Sequence, residues 1–165
     1  MVPAIWNAET FTDKVGQENS RMMWRFEDKG KREVCLVPEI TGLLQETWRE
    51  SWSKQYRTRN VFYVAKCYRY EKPQRGRYRE FTQFGIEMLG STDTDKAINL
   101  LIECLDALGI SYTLDVSAKR GLSYYNADGF EAKVETLGAQ KQIAGGGKYN
   151  EGVGWALGVD RLILI

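Results

Sequence analysis

Residues 69–90 read RYEKPQRGRYREFTQFGIEMLG. The first half is crowded with cations: Arg69, Lys72, Arg75, Arg77 and Arg79. Guanidinium groups pair with phosphate oxygens in a bidentate manner and stack on flat rings, so this half, with Phe81 offering an aromatic face, could grip a nucleotide. The second half alternates. Phe84, Ile86 and Met88 fall on one face of a strand, and Phe81, Gln83, Gly85 and Glu87 on the other. An amide and a carboxylate flanking a residue without a side chain leave a notch for a small polar ligand, and Glu87 suits an ammonium group. Pattern alone favours a plainer reading: a solvated charged hairpin, its cations partly paired with Glu71 and Glu80, and a glycine bulge in its second strand.

Three other stretches carry polar residues at suggestive places. LVPEITG (36–42) sets Glu39 and Thr41 between a strand end and a helix start; Glu39 could hold an amine, and Thr41 could be the helix N-cap. KRGLSYYNADGFE (119–131) puts Arg120 near the pair Tyr124-Tyr125, although strand tyrosines more often pack than bind. GGGKYNEGVGWALGVDRL (145–162) is glycine-rich and ends with Arg161 on a helix. It is not a phosphate-binding P-loop, because no GxxxxGK[ST] occurs in the chain.

The elements that must position these residues follow from periodicity and punctuation. Met22–Glu27 and Glu33–Val37 read as strands around a turn at Asp28–Lys31, with Pro38 ending the second. A helix is expected from Thr41 to about Tyr56, with Leu44, Trp48 and Trp52 on one face. Val61–Tyr70 and Glu80–Leu89 read as an antiparallel pair around the basic loop. STDTDKAINLLIECLDALG is a helix with an apolar stripe of Ala97, Leu101, Cys104, Leu105 and Leu108, stopped by Gly109. Tyr112–Val116, Gly129–Val134 and Gln142–Ala144 read as further strands, and Trp155–Ile165 as a short helix. The order gives an α+β fold in one domain, residues 1–165.

Composition narrows the chemistry. The net charge is +1, so no global field draws the protein to nucleic acid or membrane. The chain has no histidine, which removes histidine bases, Ser-His-Asp triads and histidine metal sites. Cys35, Cys67 and Cys104 are scattered and are expected to be reduced, in a cytoplasmic protein. No apolar run is long enough to span a membrane, and MVPAIWNAETF does not read as a signal peptide.

Taken together and in this order, the segments resemble the catalytic core of histidyl-tRNA synthetase, a class II aminoacyl-tRNA synthetase. LVPEIT resembles the family's L-R-P-E-x-T, and residues 69–90 resemble its motif 2. KRGLSYY resembles R-G-L-D-Y-Y, GGGKYN resembles G-G-R-Y-D, and GVGWALGVDRL resembles motif 3. The resemblance implies an antiparallel six-stranded class II sheet flanked by helices. It implies that Glu39, Thr41, Gln83 and Glu87 hold the amino acid and its ammonium group. Tyr125 and Tyr149 would contact the imidazole, with Tyr124 lining that pocket. Arg69, Glu71 and Arg77 would grip ATP, Phe81 would stack on adenine, and Arg161 would hold the far phosphates. Arg120 would bridge the substrate carboxylate and the α-phosphate. Arg69, Arg120 and Arg161 would be the catalytic cations, acting with Mg²⁺ whose ligands the sequence does not reveal.

Departures from the family pattern are several. The sequence opens near the motif 1 proline, matched by Pro3. The helical insertion after motif 2, a stretch between GGGKYN and GVGWALG, and the anticodon-binding domain have no counterpart. Val37, Ile40, Ser123 and Asn150 replace an arginine, a glycine and two aspartates. Adenylation residues are nearly complete while most expected tRNA contacts are missing. The expected activity is therefore ATP-dependent formation of histidyl-adenylate, with tRNA or another acceptor receiving the product. The competing expectation is a non-catalytic histidine- or nucleotide-binding regulatory subunit. A homodimer is expected because class II enzymes usually pair through motif 1.

Overall fold

The computed structural model describes residues 2–12, 20–118, 124–126, 129–138 and 141–165. Its centre is an antiparallel six-stranded sheet in the order β4-β5-β9-β8-β7-β6. The strands are β4 (Arg59–Tyr68), β5 (Glu80–Leu89), β6 (Thr113–Ala118), β7 (Gly129–Lys133), β8 (Gln142–Tyr149) and β9 (Gly152–Gly158). A second, three-stranded antiparallel sheet is built from β1 (Ile5–Asn7), β2 (Arg25–Glu27) and the central β3 (Glu33–Leu36).

Each face of the large sheet is covered by a different helix. On one face, Ala97, Leu101 and Leu105 of the helix Thr94–Ala107 pack on Met88, Phe130, Ala132, Val153, Trp155 and Leu157. Asp93 starts this helix by accepting the backbone N–H of Lys96 at 3.0 Å, and Gly109 ends it at φ +67°. Leu108 falls past the last turn and is exposed, unlike the rest of its stripe. On the other face, near β4, the small sheet and the helix Thr41–Glu50 bury Cys35, Val37, Ile40 and Leu43 against Tyr63, Ala65 and Cys67. Where this cover stops, the sheet face is left open over β5, β9 and β8.

The basic-loop hairpin forms as expected: β4 and β5 pair in unbroken register from Arg59↔Leu89 to Tyr68↔Glu80. Other expectations need correction. Met22–Glu27 is a strand only from Arg25, because the backbone before it closes a turn in which Met23 N–H reaches Ser20 O. The helix from Thr41 ends at Glu50, and a short 3₁₀ turn at Trp52–Lys54 follows. The largest correction concerns the C-terminal segment. Gly152–Gly158 is a central strand, not helix, and only Val159–Leu162 is helical. GVGWALG alternates strictly: Val153, Trp155 and Leu157 enter the core while glycines and Ala156 take the opposite face. The glycine run 145–147 likewise lies inside β8, and Asn150-Glu151 alone joins β8 to β9.

Candidate active site

Open sheet face, basic loop and C-terminal helix enclose a cavity of about 310 Å³. Its walls include Glu39, Thr41, Arg69, Glu71, Arg77, Phe81, Gln83, Tyr124, Tyr125 and Arg161. Ten of the residues singled out in the sequence are thus brought to one place from four separate segments. Glu87 and Tyr149 sit behind the cavity floor, each about 1% exposed. Arg120 and Ser123 lie outside the described residues.

The deep end is built of carboxylates and hydroxyls. Glu87 is the hub: its Oε1 accepts from the Thr41 hydroxyl at 2.5 Å and its Oε2 from the Tyr149 hydroxyl at 2.6 Å. Glu87 reaches there because its cross-strand neighbour is Gly154; a methyl at that position would overlap its carboxylate. Glu39, also buried, accepts the Gly42 backbone N–H at 2.8 Å and the Tyr124 hydroxyl at 3.4 Å. The expected N-cap role of Thr41 is therefore overturned. Glu39 takes the first-turn N–H, and the Thr41 hydroxyl is turned to Glu87 instead. Three tyrosine rings complete this end, with Tyr124 at 4.6 Å from Tyr125 and 5.9 Å from Tyr149 between centroids.

Burial sets the protonation here. It pushes the Glu87 carboxyl up to about 8, helped by the Glu39 charge and opposed by the Thr41 and Tyr149 hydrogen bonds. Burial, then neighbouring carboxylates, also hold Tyr124 and Tyr149 well above the ordinary phenol value. They remain neutral donors at physiological pH. Cys67, pushed up to about 12 by burial, stays a thiol and donates to Gln83 Oε1 at 3.2 Å.

The outer end is basic. Arg161 donates to Gly76 O at 2.8 Å and to Gln142 O at 2.5 Å, tying the loop's turn to β8. Burial lowers its pKa, and the Arg69 and Arg77 charges lower it further. Those three cations therefore face one another, which is the arrangement a bound polyanion relieves. Arg69 is anchored by its Nε to Pro38 O at 3.0 Å and lies 5.1 Å over the Phe81 ring. The other loop arginines are structural. Arg79 stacks on Tyr70 at 4.7 Å and bonds Glu71 O, and Arg75 reaches Leu164 O. Glu80 pairs with Lys66 rather than with the loop.

Sequence reasoning missed Glu131, Asp160 and Tyr78, which also line the cavity. Glu131 had a readable signal, since the alternation of GFEAK puts it opposite buried Phe130 and Ala132. Asp160 had none: it accepts the backbone N–H of Thr82 at 2.5 Å, a contact only the fold creates. The notch expected at Gly85 exists but is not empty, because the Tyr63 ring from β4 lies across it.

Comparison with known proteins gives a family and a fold. The histidyl-tRNA synthetase family profile matches residues 1–112. A histidine–tRNA ligase of Archaeoglobus fulgidus is 26% identical over a 268-position alignment that takes in 97% of this chain and 66% of the relative. One from Metallosphaera sedula is 44% identical over 91 residues, 55% of this chain and 21% of the relative. Among solved structures, apo histidyl-tRNA synthetase of S. aureus superposes with a TM-score of 0.72 at 25% identity, over 99% of this chain and 58% of that one. A pyrrolysyl-tRNA synthetase of Desulfitobacterium hafniense gives 0.76 at 18% identity with the same coverage, a likeness of fold alone. The chain thus spans 66% of the length of the A. fulgidus relative and 58% of these solved structures. Among the described residues, no helix is long and apolar enough to cross a membrane.

Proposed function

The chain belongs to the histidyl-tRNA synthetase family, and from that premise we propose that its cavity activates histidine with ATP, forming histidyl-adenylate and releasing pyrophosphate. One observation carries this reading: a carboxylate–hydroxyl–tyrosine cradle and a cluster of three arginines open into the same cavity. Glu39, Thr41, Gln83 and Glu87 hold the amino acid by its ammonium end, and Tyr124, Tyr125 and Tyr149 enclose the imidazole. Arg69, Glu71 and Arg77 bind ATP, with Phe81 beneath adenine and Arg161 on the terminal phosphates. Family resemblance assigns Arg120 the role of bridging the substrate carboxylate and the α-phosphate.

The reaction needs no general base. An α-carboxyl group has a pKa near ~3.5, so it is already an anionic nucleophile at neutral pH. Its oxygen attacks the α-phosphorus in line; the new P–O bond forms as the bond to the β-phosphate oxygen breaks, and pyrophosphate carries that charge away. The barrier is repulsion between anions and charge on the phosphoryl oxygens. Fixed guanidinium groups lower it by alignment and electrostatics. Among the described residues, no three acidic or sulfur ligands could hold a metal by themselves. Mg²⁺ fits as an ion carried by the phosphates, with Glu71 and Glu131 as protein ligands, because it is commonly held by one or two carboxylates plus phosphate. It would supply charge neutralisation along the triphosphate.

We read residues 1–165 as one catalytic core, acting in the cytoplasm, with tRNA as the acceptor. Apolar Ile5, Trp6 and Phe26, exposed on the small sheet, support a homodimer, which sedimentation equilibrium tests. The activity is tested by histidine-dependent ATP–pyrophosphate exchange. Exchange that Arg120→Ala lowers by orders of magnitude is expected. Histidine binding without exchange at saturating Mg-ATP would sink the proposal.

A further inference from the structure

Three buried side-chain polar atoms have no hydrogen bond among the described residues: Gln45 Nε2, Tyr63 Oη and Trp155 Nε1. Trp155 lies on the helix-covered core face, away from the cavity. Tyr63 lies on the other face, buried behind the cavity floor beside Glu87. It stands on β4 directly across from Gly85, and its ring and hydroxyl occupy the space a Cβ on Gly85 would need. Gln83 and Glu87 flank Gly85 on that face, so the phenol oxygen is delivered between them. Its electrostatic neighbours are Glu87, Cys67 and Glu39, and the Thr41 hydroxyl is within hydrogen-bonding reach although the pair does not meet hydrogen-bond geometry in the free protein. The residue is 7% exposed. A buried O–H left unbonded is costly, and Tyr63 Oη, next to the cavity residues Glu39 and Thr41, is placed where a bound state can use it.

Counting bonds at Thr41 identifies that use. A threonine hydroxyl has one proton and two lone pairs. The proton goes to Glu87 Oε1. One lone pair faces the cavity, which Thr41 lines. The second is left for the Tyr63 proton, and the Thr41 hydroxyl is the side chain that interacts with the Tyr63 phenol by hydrogen bonding. We propose that Tyr63 is a positioning residue for the amino-acid ammonium group, its O–H closing onto Thr41 Oγ1 when the substrate amine occupies the cavity-facing lone pair. Bonded from both sides, the Thr41 hydroxyl can no longer rotate its proton toward the cationic amine. Burial and the two carboxylates keep Tyr63 a neutral phenol throughout, so the proton is always available. Tyr63 need not touch the substrate; it acts through Thr41.

This inference rests on the amino-acid reading of the cavity, and the test separates the two. Histidine, its des-amino analogue imidazole-propionate and ATP are titrated calorimetrically into wild type and Tyr63→Phe. The variant keeps the ring and loses only an oxygen without a well-formed hydrogen bond in the free protein, so its melting temperature is expected to stay close to that of wild type. Histidine affinity is expected to fall about tenfold, the usual worth of one buried hydrogen bond. Binding of imidazole-propionate and ATP is expected to stay as in wild type. In a Thr41→Val background, Tyr63→Phe is expected to cost nothing further. The proposal is overturned if Tyr63→Phe binds histidine like wild type. It is equally overturned if histidine and its des-amino analogue weaken together, or if the two substitutions are additive. Failure of wild type to bind histidine or any other amino acid would instead remove the underlying reading, and this proposal with it.

Discussion

At the outer end of the cavity, burial and then the Arg69 and Arg77 charges depress the proton affinity of Arg161 across an open space. At the deep end, Glu39 and Glu87 are buried and each is bonded by at least one hydroxyl. Both ends crowd like charges, but they contain them differently. The outer end offsets its repulsion only in part, through Glu71, and a polyanion would relieve the rest. The deep end relieves its own by keeping a proton on Glu87. A triphosphate brings several charges and needs chiefly countercharge at the right distances. An amino acid brings one cation, and a buried cation is tolerated only where fixed acceptors replace its water.

The largest expected effect breaks the outer end. Arg161→Ala removes a phosphate cation and also the strut from Gly76 to Gln142. Pyrophosphate exchange should fall on the order of 10²–10³-fold, the usual loss for one transition-state donor. Calorimetric histidine binding should stay within about twofold of wild type, since its effect is local. A matching loss of histidine affinity would mean the two ends are one unit.

Next in size is the same operation on the deep end. Glu87→Gln keeps the shape and removes the charge. Histidine affinity should fall roughly 10- to 100-fold, as for loss of a charge-assisted bond. ATP affinity should not change. A fluorescence titration with each ligand separates these outcomes, and equal losses for both would contradict the division.

How much of this was legible in the sequence differs between the same two regions. The basic loop and β5 could be read because a single strand carries its own period: Gln83 and Glu87 share a face whatever the partners are. The resemblance of ordered motifs then named the site. The small-residue floor could not be read that way. In GVGWALGVDRL two periods compete: Trp155, Val159 and Leu162 imitate a helix, while Val153, Trp155 and Leu157 keep the period of the strand that pairs with β5 and β8. Thr41 was misassigned for a related reason. A threonine before a helix is a good cap by local rules, but a carboxylate 46 residues away competes for its proton. Tyr63 was invisible altogether, since an aromatic in an alternating strand announces packing and nothing more.

The third prediction sharpens the comparison through pH. The folded-state pKa of Glu87, about 8, lies above its ordinary value of 4.5. A raised carboxyl contributes stability that is fully present below its unfolded pKa and is lost as pH rises through the folded one. The melting temperature of the ligand-free protein should therefore decline between about pH 5 and pH 8, and Glu87→Gln should flatten that slope. The histidine ammonium favours the charged carboxylate, so binding at pH 7 should release a fraction of a proton. Calorimetry in buffers of different ionisation enthalpy measures that release directly. Uptake instead of release would mean that the ammonium is read elsewhere.

Salt gives the smallest effect and the most direct contrast. The Debye length shrinks from about 10 Å at 0.1 M to about 3 Å at 1 M, and screening acts on charges that water reaches. The three arginines surround an open space, whereas Glu87 is shut from solvent. Raising NaCl from about 0.1 to 1 M should therefore weaken ATP binding several-fold and histidine binding by less than about twofold. The difference comes from where the charges sit: the arginines face an open space and the carboxylates are buried. If both affinities fell in parallel, the deep cradle would have to be hydrated, and the raised pKa of Glu87 would lose its cause.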